Sequence, residues 1–313
     1  MKHEPEYPVV VAARRVIADR VVELTFRITA DDLPTWEPGA HVDVILGPDL
    51  VRQYSLCGDP QARDTLTIAV LHEEVGRGGS TLVHEKVAVG DRLRIRGPRN
   101  NFPLRDAKEY LFIAGGIGIT PLLPMIRMVA ARGGKWALEY CGRATAGMAY
   151  VEELSGLDGV RIHPSDRSGP LDLSTVLGTV RPGVHVYCCG PERLLAEVEQ
   201  RCAAWPSDSV HVERFAAGQV ESEVDEMFEV RCAQSKIDLM VPPGSSILEI
   251  AEQAGVQVLS SCREGTCGTC ETVVLEGTPD HRDSLLSPQE RQANEVMMIC
   301  CSRSLGSRLV LEL

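Results

Sequence analysis

Four cysteines near the C-terminus have the spacing that most directly predicts chemistry. They form the pattern C-x4-C-x2-C and, after 29 further residues, a fourth cysteine: Cys262, Cys267, Cys270 and Cys300. Plant-type [2Fe–2S] clusters are held by thiolates at this spacing. Such a cluster carries one electron at a time, so the pattern predicts a one-electron carrier. Structural zinc is the main alternative, but it usually takes two C-x2-C pairs.

Two further motifs each lie after a predicted strand and before a predicted helix. Residues 114–121 read Ala-Gly-Gly-Ile-Gly-Ile-Thr-Pro, and residues 188–192 read Cys-Cys-Gly-Pro-Glu. Glycines at such a turn let the backbone approach a ligand, and the helix N-terminus attracts phosphate. The first motif departs from the G-x-G-x-x-G fingerprint, so a tight turn that needs small residues is its alternative. For the second, a buried thiol before a helix is the alternative to one that faces a nicotinamide.

Two motifs in the first third of the chain could hold a phosphorylated aromatic cofactor. Arg52 and Tyr54 alternate along a strand, so they face the same way, with Ser55 following. An arginine fork can hold a phosphate and a tyrosine can stack on a ring. Residues 77–80, Arg-Gly-Gly-Ser, combine a guanidinium, two small residues and a capping hydroxyl before a helix. The alternatives are an exposed strand face and an ordinary capped helix.

The elements that must position these motifs fall into three segments. Up to about residue 105, short Val-, Ile-, Leu- and Thr-rich runs between turn residues favour a small antiparallel barrel with one helix at 79–87. Residues 106–215 alternate strands and helices, which favours a parallel sheet covered by helices. The polar, acidic residues 216–225 are expected to be a linker. Residues 226–313 begin with two strands and a helix capped by Ser246, followed by the cysteine loop.

Individual elements follow from the same patterns. The expected strands are 9–17, 21–28, 41–46, 65–71, 92–96, 110–114, 136–140, 184–188, 227–233 and 236–241. Beyond the helix at 79–87, the expected helices are 122–131, 193–204 and 246–254.

Composition excludes some functions. The chain has 313 residues, a net charge of −12 and 44% hydrophobic residues, which is ordinary for a soluble protein of two or three domains. Nucleic-acid binding is not expected, because phosphates require a basic face. Residues 226–313 contain 13 acidic and 7 basic residues, a net charge of −6, so a docking partner there would meet a negative surface. The sequence contains no apolar signal core and no apolar segment of membrane length. Eleven cysteines in a chain without a secretory signal favour the cytoplasm.

Taken together and in this order, the motifs resemble the phthalate dioxygenase reductase family, which includes the reductase components of vanillate demethylase and related Rieske oxygenases. The resemblance covers nearly the whole chain. It rests on Arg52-x-Tyr54-Ser55, Arg77-Gly78-Gly79-Ser80, Gly115-Gly116-Ile117-Gly118-Ile119-Thr120-Pro121, Cys189-Gly190-Pro191, Glu213-x-Phe215, Cys262-Arg263-Glu264-Gly265-x-Cys267-Gly268-Thr269-Cys270-Glu271, Asp280-His281-Arg282-Asp283 and Cys300-Cys301-Ser302-Arg303.

The resemblance implies an FMN-binding β-barrel over 1–105, an NADH-binding α/β domain of the ferredoxin reductase type over 106–215, and a β-grasp plant-type ferredoxin domain over 226–313. It implies the following contacts: the flavin with Arg52, Tyr54 and Ser55; its phosphate with Arg77, Gly78, Gly79 and Ser80; the isoalloxazine ring with Phe215; the nicotinamide with Thr120 and Cys189; and the dinucleotide with Gly115, Gly116, Gly118, Pro121, Gly190 and Pro191.

Three points about the ligands stay open in the sequence. The family has an apolar residue after the fourth cluster cysteine, whereas this chain has Cys301; spacing and the family pattern favour Cys300. FMN rather than FAD follows from the resemblance, since an arginine before the helix would neutralise a terminal phosphate. NADH is favoured over NADPH because Asp166 could repel a 2′-phosphate, although Arg143 and Arg167 could attract one.

These expectations describe an NADH-dependent reductase component of a Rieske-type oxygenase system. A hydride would pass from NADH to FMN, and single electrons would pass through the cluster to the oxygenase. No side chain is assigned as a general acid or base, because the hydride step needs none. The alternatives are a stand-alone NADH oxidase or ferric reductase and a redox-sensing interaction protein. The sequence names neither the oxygenase, nor its substrate, nor the oligomeric state.

Overall fold

The computed structural model describes residues 5–29, 35–47, 50–76, 78–215 and 225–313. Contacts divide the chain into two compact units, Met1–Glu213 and Arg214–Leu313. The first unit contains a six-stranded and a five-stranded sheet, and the second contains a five-stranded sheet with a two-stranded ribbon. None of the helices in the described ranges is both long enough and apolar enough to cross a bilayer.

The first sheet is antiparallel and closes into a barrel. Its strand order is β4-β3-β6-β1-β2-β5. Just after β4, Leu56 pairs with Ile68, and the N–H of Cys57 donates to the carbonyl of Thr67 at 2.9 Å, which joins the two edge strands. A single helix, α1, follows β5. The elements are β1 (Glu6–Ala18), β2 (Val21–Ile28), β3 (His41–Gly47), β4 (Leu50–Ser55), β5 (Thr65–Leu71), α1 (Gly79–Lys86) and β6 (Arg92–Arg99).

The second sheet is entirely parallel, in the order β11-β10-β7-β8-β9. After Glu109, every residue of strand β7 is buried, as expected for a strand covered on both faces of a parallel sheet. Helix α2 packs on Phe112, Leu138 and Tyr140 on one face. The elements are β7 (Glu109–Gly115), α2 (Ile119–Ala131), β8 (Lys135–Gly142), α3 (Val151–Leu154), β9 (Val160–Pro164), α4 (Ser165–Ser168), α5 (Leu173–Leu177), β10 (Val184–Cys189), α6 (Glu192–Arg201) and β11 (Val210–Glu213).

The sheet of the second unit is mixed, in the order β13-β12-β18-β14-β16, with β12 and β18 parallel. Helix α7 packs its buried Ile247, Leu248 and Ala251 into the core of this unit, which is the β-grasp arrangement. Ser246 caps α7 as predicted, within a reciprocal capping box with Glu249. The elements are β12 (Phe228–Cys232), β13 (Ile237–Val241), α7 (Ile247–Gln253), β14 (Glu271–Glu276), β15 (Pro279–Asp280), α8 (Pro288–Ala293), β16 (Val296–Met298), β17 (Arg303–Ser304) and β18 (Arg308–Leu311).

The expected linker, 216–225, lies outside the described residues except for Asp225. Asp225 is anchored rather than free: its Oδ1 accepts from Arg282 at 2.8 Å and lies 3.5 Å from Nε of Arg303. Arg303 is buried, donates to the carbonyls of Glu226 and Pro242, and lies over the ring of Phe228. Arg303 therefore ties the start of the second unit to its core.

Two helix boundaries differ from the expectation, each for a local reason. Helix α2 begins at Ile119, three residues early, because the short 3-10 turn Gly116–Gly118 runs directly into it, with Gly116 at a φ of 54°. Helix α6 ends at Arg201 rather than at residue 204. Beyond its end, Trp205 turns inward and donates from Nε1 to the carbonyl of Leu177 at 3.2 Å.

Candidate functional site

The residues expected to contact the flavin lie on β4 and at the start of α1, within the first unit. Arg52 and Tyr54 pair with Val44 and Val42 of β3, so both lie on one face of the strand. A Cβ at Gly79 would lie 2.4 Å from Cγ of Arg52, so the Arg52 side chain passes directly over the helix start. The structure thus brings the two predicted motifs together.

Burial affects the polar groups of this pocket differently. Burial raises the pKa of Tyr54 to about 12, and the neighbouring Arg52 only partly opposes this, so the phenol keeps its proton at neutral pH. Ser55 is buried. A proton-bearing tyrosine beside a guanidinium suits a site that holds an aromatic ring and a phosphate.

The expected phosphate motif at 77–80 is only partly as predicted. Arg77 lies outside the described residues. The residue that precedes α1 is Gly78, in the left-handed conformation at a φ of 77°, and no side chain caps this helix. Ser80 lies inside the helix, and its Oγ accepts from the N–H of Glu73 at 3.0 Å. The capping role expected for the serine hydroxyl is therefore wrong, because that hydroxyl holds the preceding loop instead.

The two glycine motifs expected to bind a dinucleotide meet at one edge of the parallel sheet. They follow β7 and β10, which are adjacent, and ligands of open parallel sheets bind at this carboxyl edge. A Cβ on Gly118 would lie 2.2 Å from the carbonyl oxygen of Cys189, and one on Gly190 would lie 2.9 Å from Cα of Gly115. The two loops therefore pack backbone against backbone, which only glycine permits.

The remaining residues expected near the nicotinamide are at the same edge. Thr120 is buried and its Oγ1 donates to the carbonyl of Ile117 at 2.9 Å, and Pro121 lies in the first turn of α2. Pro191 immediately precedes α6. The threonine hydroxyl keeps its acceptor lone pairs, because this bond uses only its proton.

The Cys189 thiol is buried beside Glu213, which is opposite it on the neighbouring strand β11. Burial raises the pKa of Cys189 well above its usual value, and the Glu213 charge adds to the rise. Burial also raises the pKa of Glu213 to about 8. Cys189 is thus held as a neutral thiol, which suits an uncharged surface rather than a nucleophile. The site residues inferred from the sequence do not include Glu213, although it begins the quoted motif Glu213-x-Phe215.

Two residues lie further out. Asp166 is exposed on the short helix α4, after β9, and its N–H donates to the carbonyl of Arg143 at 2.9 Å. It lies at the carboxyl end of the sheet, where the sequence places the nucleotide ribose. Phe215 is 42% exposed and belongs to the second compact unit. Its position over a flavin ring stays a prediction.

The four expected cluster ligands are all buried, and three of them lie in the loop between α7 and β14. Backbone N–H groups are directed at their sulfurs: Glu264 and Thr266 donate to Sγ of Cys262 at 3.3 and 3.4 Å, and Thr269 donates to Sγ of Cys267 at 3.4 Å. Hydrogen bonds from Cys267 and Cys300 lower the pKa of Cys262. Buried thiols in mutual contact, with amide donors aimed at sulfur, fit an iron–sulfur cluster.

Cys300 and its neighbour Cys301 have different surroundings. The N–H of Gly265 donates to Sγ of Cys300 at 3.2 Å, and this thiol also bonds to Cys262 and Cys270. Sγ of Cys301 also contacts Cys300, and it lies 3.7 Å from the carbonyl of Met298. Within the described residues no group of three or more His, Cys, Asp or Glu side chains is arranged as a site for a single metal ion. These surroundings support Cys300 as the fourth ligand.

A buried turn lies behind the cysteine loop and was not identified as part of the site from the sequence. Oδ1 of Asp283 accepts from the N–H groups of Leu285 and Leu286 at 2.9 and 2.8 Å. The N–H of Ser284 donates to the carbonyl of Gly265, whose own N–H reaches Cys300. The Asp283 turn thus holds Gly265, whose N–H contacts the sulfur of an expected ligand. In the sequence, this turn could have been found from the quoted motif at residues 280–283, which contains Asp283.

Comparison with known proteins agrees with this architecture. Residues 230–305 match the 2Fe-2S iron-sulfur cluster binding domain family. The chain is 41% identical over 301 residues to the phenoxybenzoate dioxygenase subunit beta of Ectopseudomonas oleovorans, covering 95% of this chain and 94% of that protein. It is also 41% identical over 317 residues to the vanillate O-demethylase oxidoreductase of a Pseudomonas species, covering 97% and 99%.

Two solved structures match nearly the whole chain. Phthalate dioxygenase reductase, described as modular for electron transfer from pyridine nucleotides to [2Fe-2S], has a TM-score of 0.74 at 36% identity and covers 98% of each chain. An intact type IV self-sufficient cytochrome P450 monooxygenase has a TM-score of 0.88 at 42% identity. It covers 98% of this chain, but this chain spans only 41% of that one.

The barrel, the parallel sheet and the iron–sulfur domain together define an oxidoreductase of the ferredoxin reductase type with a plant-type ferredoxin module. At this level of identity over the full length, the chain belongs to the phthalate dioxygenase reductase family. The expected family and fold class are confirmed.

Replacing Gly118 by alanine tests the contact between the two glycine loops. The added Cβ would overlap the Cys189 carbonyl and force the loops apart, at a cost of roughly 1–3 kcal/mol. We expect a lower melting temperature and weaker NADH binding, measured by thermal denaturation and by equilibrium titration. Gly147→Ala is the control, because its Cβ would meet no neighbour. Wild-type stability and affinity in Gly118→Ala would contradict the contact.

Serine substitutions at Cys300 and Cys301 decide between the two candidate ligands. We expect Cys300→Ser to lose iron, sulfide and cluster-dependent cytochrome c reduction, while direct flavin reduction by NADH is kept. Cys301→Ser should keep its cluster, because that thiol faces the Met298 carbonyl. Iron and sulfide analysis together with the electron paramagnetic resonance spectrum of the reduced protein measure this. The reverse pattern would assign Cys301.

Proposed function

We propose that this protein is the NADH-dependent reductase component of a Rieske-type oxygenase system. The observation that carries the proposal is the succession, in one chain, of a barrel in which Arg52 lies against the start of α1, a parallel-sheet edge where two glycine loops meet, and four buried cysteines. Full-length similarity to the named dioxygenase and demethylase reductases supports it. We place it in the cytoplasm because its eleven cysteines fit a reducing compartment.

The cofactors we propose are FMN, NADH and one [2Fe–2S] cluster. When bound, NADH would supply a hydride, FMN would accept both electrons, and the cluster would pass them on one at a time. The protein's part is to bind, orient and exclude water. Arg52 and Tyr54 would hold the flavin from β4, and Gly78, Gly79 and Arg77 would admit its phosphate at the start of α1, where the Arg52 stem already lies against Gly79.

The nucleotide site follows from the carboxyl edge of the parallel sheet. The close loops at 115–118 and 189–191 would leave backbone N–H groups for the pyrophosphate, and the neutral Cys189 thiol and the Thr120 hydroxyl would line the nicotinamide pocket. Asp166 would accept from the ribose 2′-hydroxyl and repel a 2′-phosphate. We therefore propose NADH as the preferred donor.

Four thiols would hold the cluster: Cys262, Cys267, Cys270 and Cys300. Amide donors to sulfur stabilise negative charge on the ligands and so raise the reduction potential. Docking of the oxygenase near this loop is part of the proposal, since electrons must leave from the cluster and residues 226–313 have a net charge of −6.

Cofactor analysis and rapid kinetics test the core of the proposal. The purified protein should contain FMN, about two irons and two sulfides, and anaerobic NADH should bleach first the flavin and then the cluster. NADPH at the same concentration should react more slowly. Zinc without sulfide would refute the cluster, and flavin that NADH leaves oxidised would refute the reductase.

A heme oxygenase partner is a second candidate, because the self-sufficient P450 contains a segment that is 42% identical to nearly all of this chain. Purified vanillate demethylase oxygenase and a P450 heme domain without its reductase serve as test acceptors. We expect NADH-driven reduction of the Rieske centre to be the faster of the two. Reduction of the heme alone would favour the second candidate, and turnover with free ferric complexes alone would favour a stand-alone reductase.

A further inference from the structure

A chain of polar groups, buried at Glu23 and Cys57, crosses from the barrel to the parallel-sheet part of the first unit. Tyr150 precedes α3, and its hydroxyl donates to Oε2 of Glu23 on β2 at 2.9 Å. The same hydroxyl lies 3.2 Å from Sγ of Cys57. Since the tyrosine proton is used on the carboxylate, the acceptors that remain for the cysteine thiol are the tyrosine oxygen and the carbonyl of Thr67, which lies 3.5 Å from Sγ. Tyr150 has a φ of 61°, an uncommon conformation outside glycine.

Both ends of this chain are themselves fixed. The buried Glu23 receives two bonds from Arg15 to Oε1, from Nε at 2.9 Å and from Nη2 at 2.6 Å. Burial raises the pKa of Cys57 to about 12, so its thiol stays a donor at neutral pH. Every group of the chain therefore has a partner suited to its charge.

A second tie reaches the same cysteine from another direction. Nη1 of Arg127 donates to the carbonyl of Cys57 at 3.0 Å, and Nε of Arg127 donates to Oε1 of Glu153 at 2.9 Å. Arg127 lies on α2, the helix that begins directly after the loop Gly116–Gly118. Cys57 lies two residues beyond Ser55, where β4 ends. The strand proposed to hold the flavin and the loop proposed to hold the nicotinamide are thus joined through one residue.

The surroundings of these bonds are apolar around Cys57. Cys57, Val21 and Ala69 from the barrel pack in one buried cluster with Ile119 and Leu122 of α2. Apolar packing is non-directional, so several relative angles of the two parts would bury similar area. Hydrogen bonds are directional, and a buried donor or acceptor left without a partner costs about 1–3 kcal/mol. The polar chain therefore selects one angle.

We propose that Tyr150, with Glu23, Cys57 and Arg127, forms a latch that positions the nicotinamide loop against the flavin strand for hydride transfer. Tyr150 is a positioning residue, because its contacts are with Glu23 and Cys57 rather than with the reacting atoms. The inference rests on the proposed function. Hydride transfer depends steeply on the distance and alignment of donor and acceptor, so a small change of angle lowers the rate without removing either binding site.

Tyr150→Phe removes the hydroxyl and leaves the ring. In the full-length protein with its cofactors, we expect the limiting rate of flavin reduction by NADH, measured anaerobically by stopped flow, to fall about tenfold. The dissociation constant for NADH and the FMN content should stay close to wild type. The long-wavelength charge-transfer absorbance of the NADH complex should weaken, because it reports overlap of the two rings.

Tyr110→Phe is the matched control. Tyr110 is buried whereas Tyr150 is partly buried, and its hydroxyl also makes two bonds, accepting from the N–H of Ala107 and donating to the carbonyl of Arg105, both at 3.0 Å. It lies at the opposite end of β7 from the glycine loop. It should lose stability like Tyr150→Phe and keep the wild-type reduction rate and charge-transfer band.

Other outcomes separate the two levels of the argument. If Tyr150→Phe loses stability but reduces its flavin at the wild-type rate, the hydroxyl is only structural and the latch is overturned. If Tyr150→Phe does not fold, Glu23→Gln keeps the shape, weakens the bond to Arg15 and should show the same slowing; a wild-type rate there also overturns the latch. If NADH does not reduce the flavin of the wild-type protein, the proposed function is refuted, and the latch that rests on it is refuted with it.

Discussion

The apolar contact between the barrel and helix α2 is the constraint on which the rest of the first unit depends. Ile119 and Leu122, directly after the glycine turn, bury themselves against Cys57 and Val21 of the barrel. Because α2 starts at that turn, the same contact that buries apolar area also sets the position of the loop at the sheet edge. The proposed function is therefore coupled to packing, since the helix that fills the core also positions the backbone proposed to bind the dinucleotide.

The proposed chemistry of this unit depends on positions that have no side chain, the glycines, as much as on the side chains that are present. Gly115, Gly118 and Gly190 let two loops of adjacent strands touch through their backbones, and Gly79 lets the Arg52 side chain lie over a helix start. A methyl group at most of these positions would meet atoms that cannot move aside. The spacing of the glycines alone is therefore weak evidence for a nucleotide site. The close contacts of the glycines are stronger evidence, because they show why a larger residue would not fit.

Much of the fold was predictable from local patterns. Strands β2 and β5 have the predicted bounds, and the Ser246 cap is where the sequence placed it. These features depend on neighbours within a few residues. The early start of α2 was not predictable in this way, since it follows from a left-handed Gly116 that runs into the helix. The serine at position 80 resembles a cap in sequence, yet its partner, Glu73, lies in the preceding loop.

The candidate site also has some features that the sequence predicts and others that it does not. The four cysteines and the glycine motifs are each short in sequence, so their chemistry is visible there, and comparison with relatives confirms the family that they indicated. The groups that hold these motifs in place are not visible in the sequence. Tyr150 bonds to Glu23 across 127 positions and to Cys57 across 93, and no local pattern marks a tyrosine as one end of such a chain.

The cysteine loop depends on support from a distant turn in a similar way. The N–H of Gly265 donates to Sγ of Cys300, and the bond from Ser284 to the carbonyl of Gly265 fixes the adjoining peptide plane of the same residue. That bond in turn depends on Asp283, whose carboxylate gathers the next two N–H groups of its own turn. Amide donors to sulfur are among the main determinants of cluster potential. A residue that never reaches the metal thus bears on the energy at which an electron leaves the protein, as the Tyr150 hydroxyl bears on the geometry with which electrons enter it.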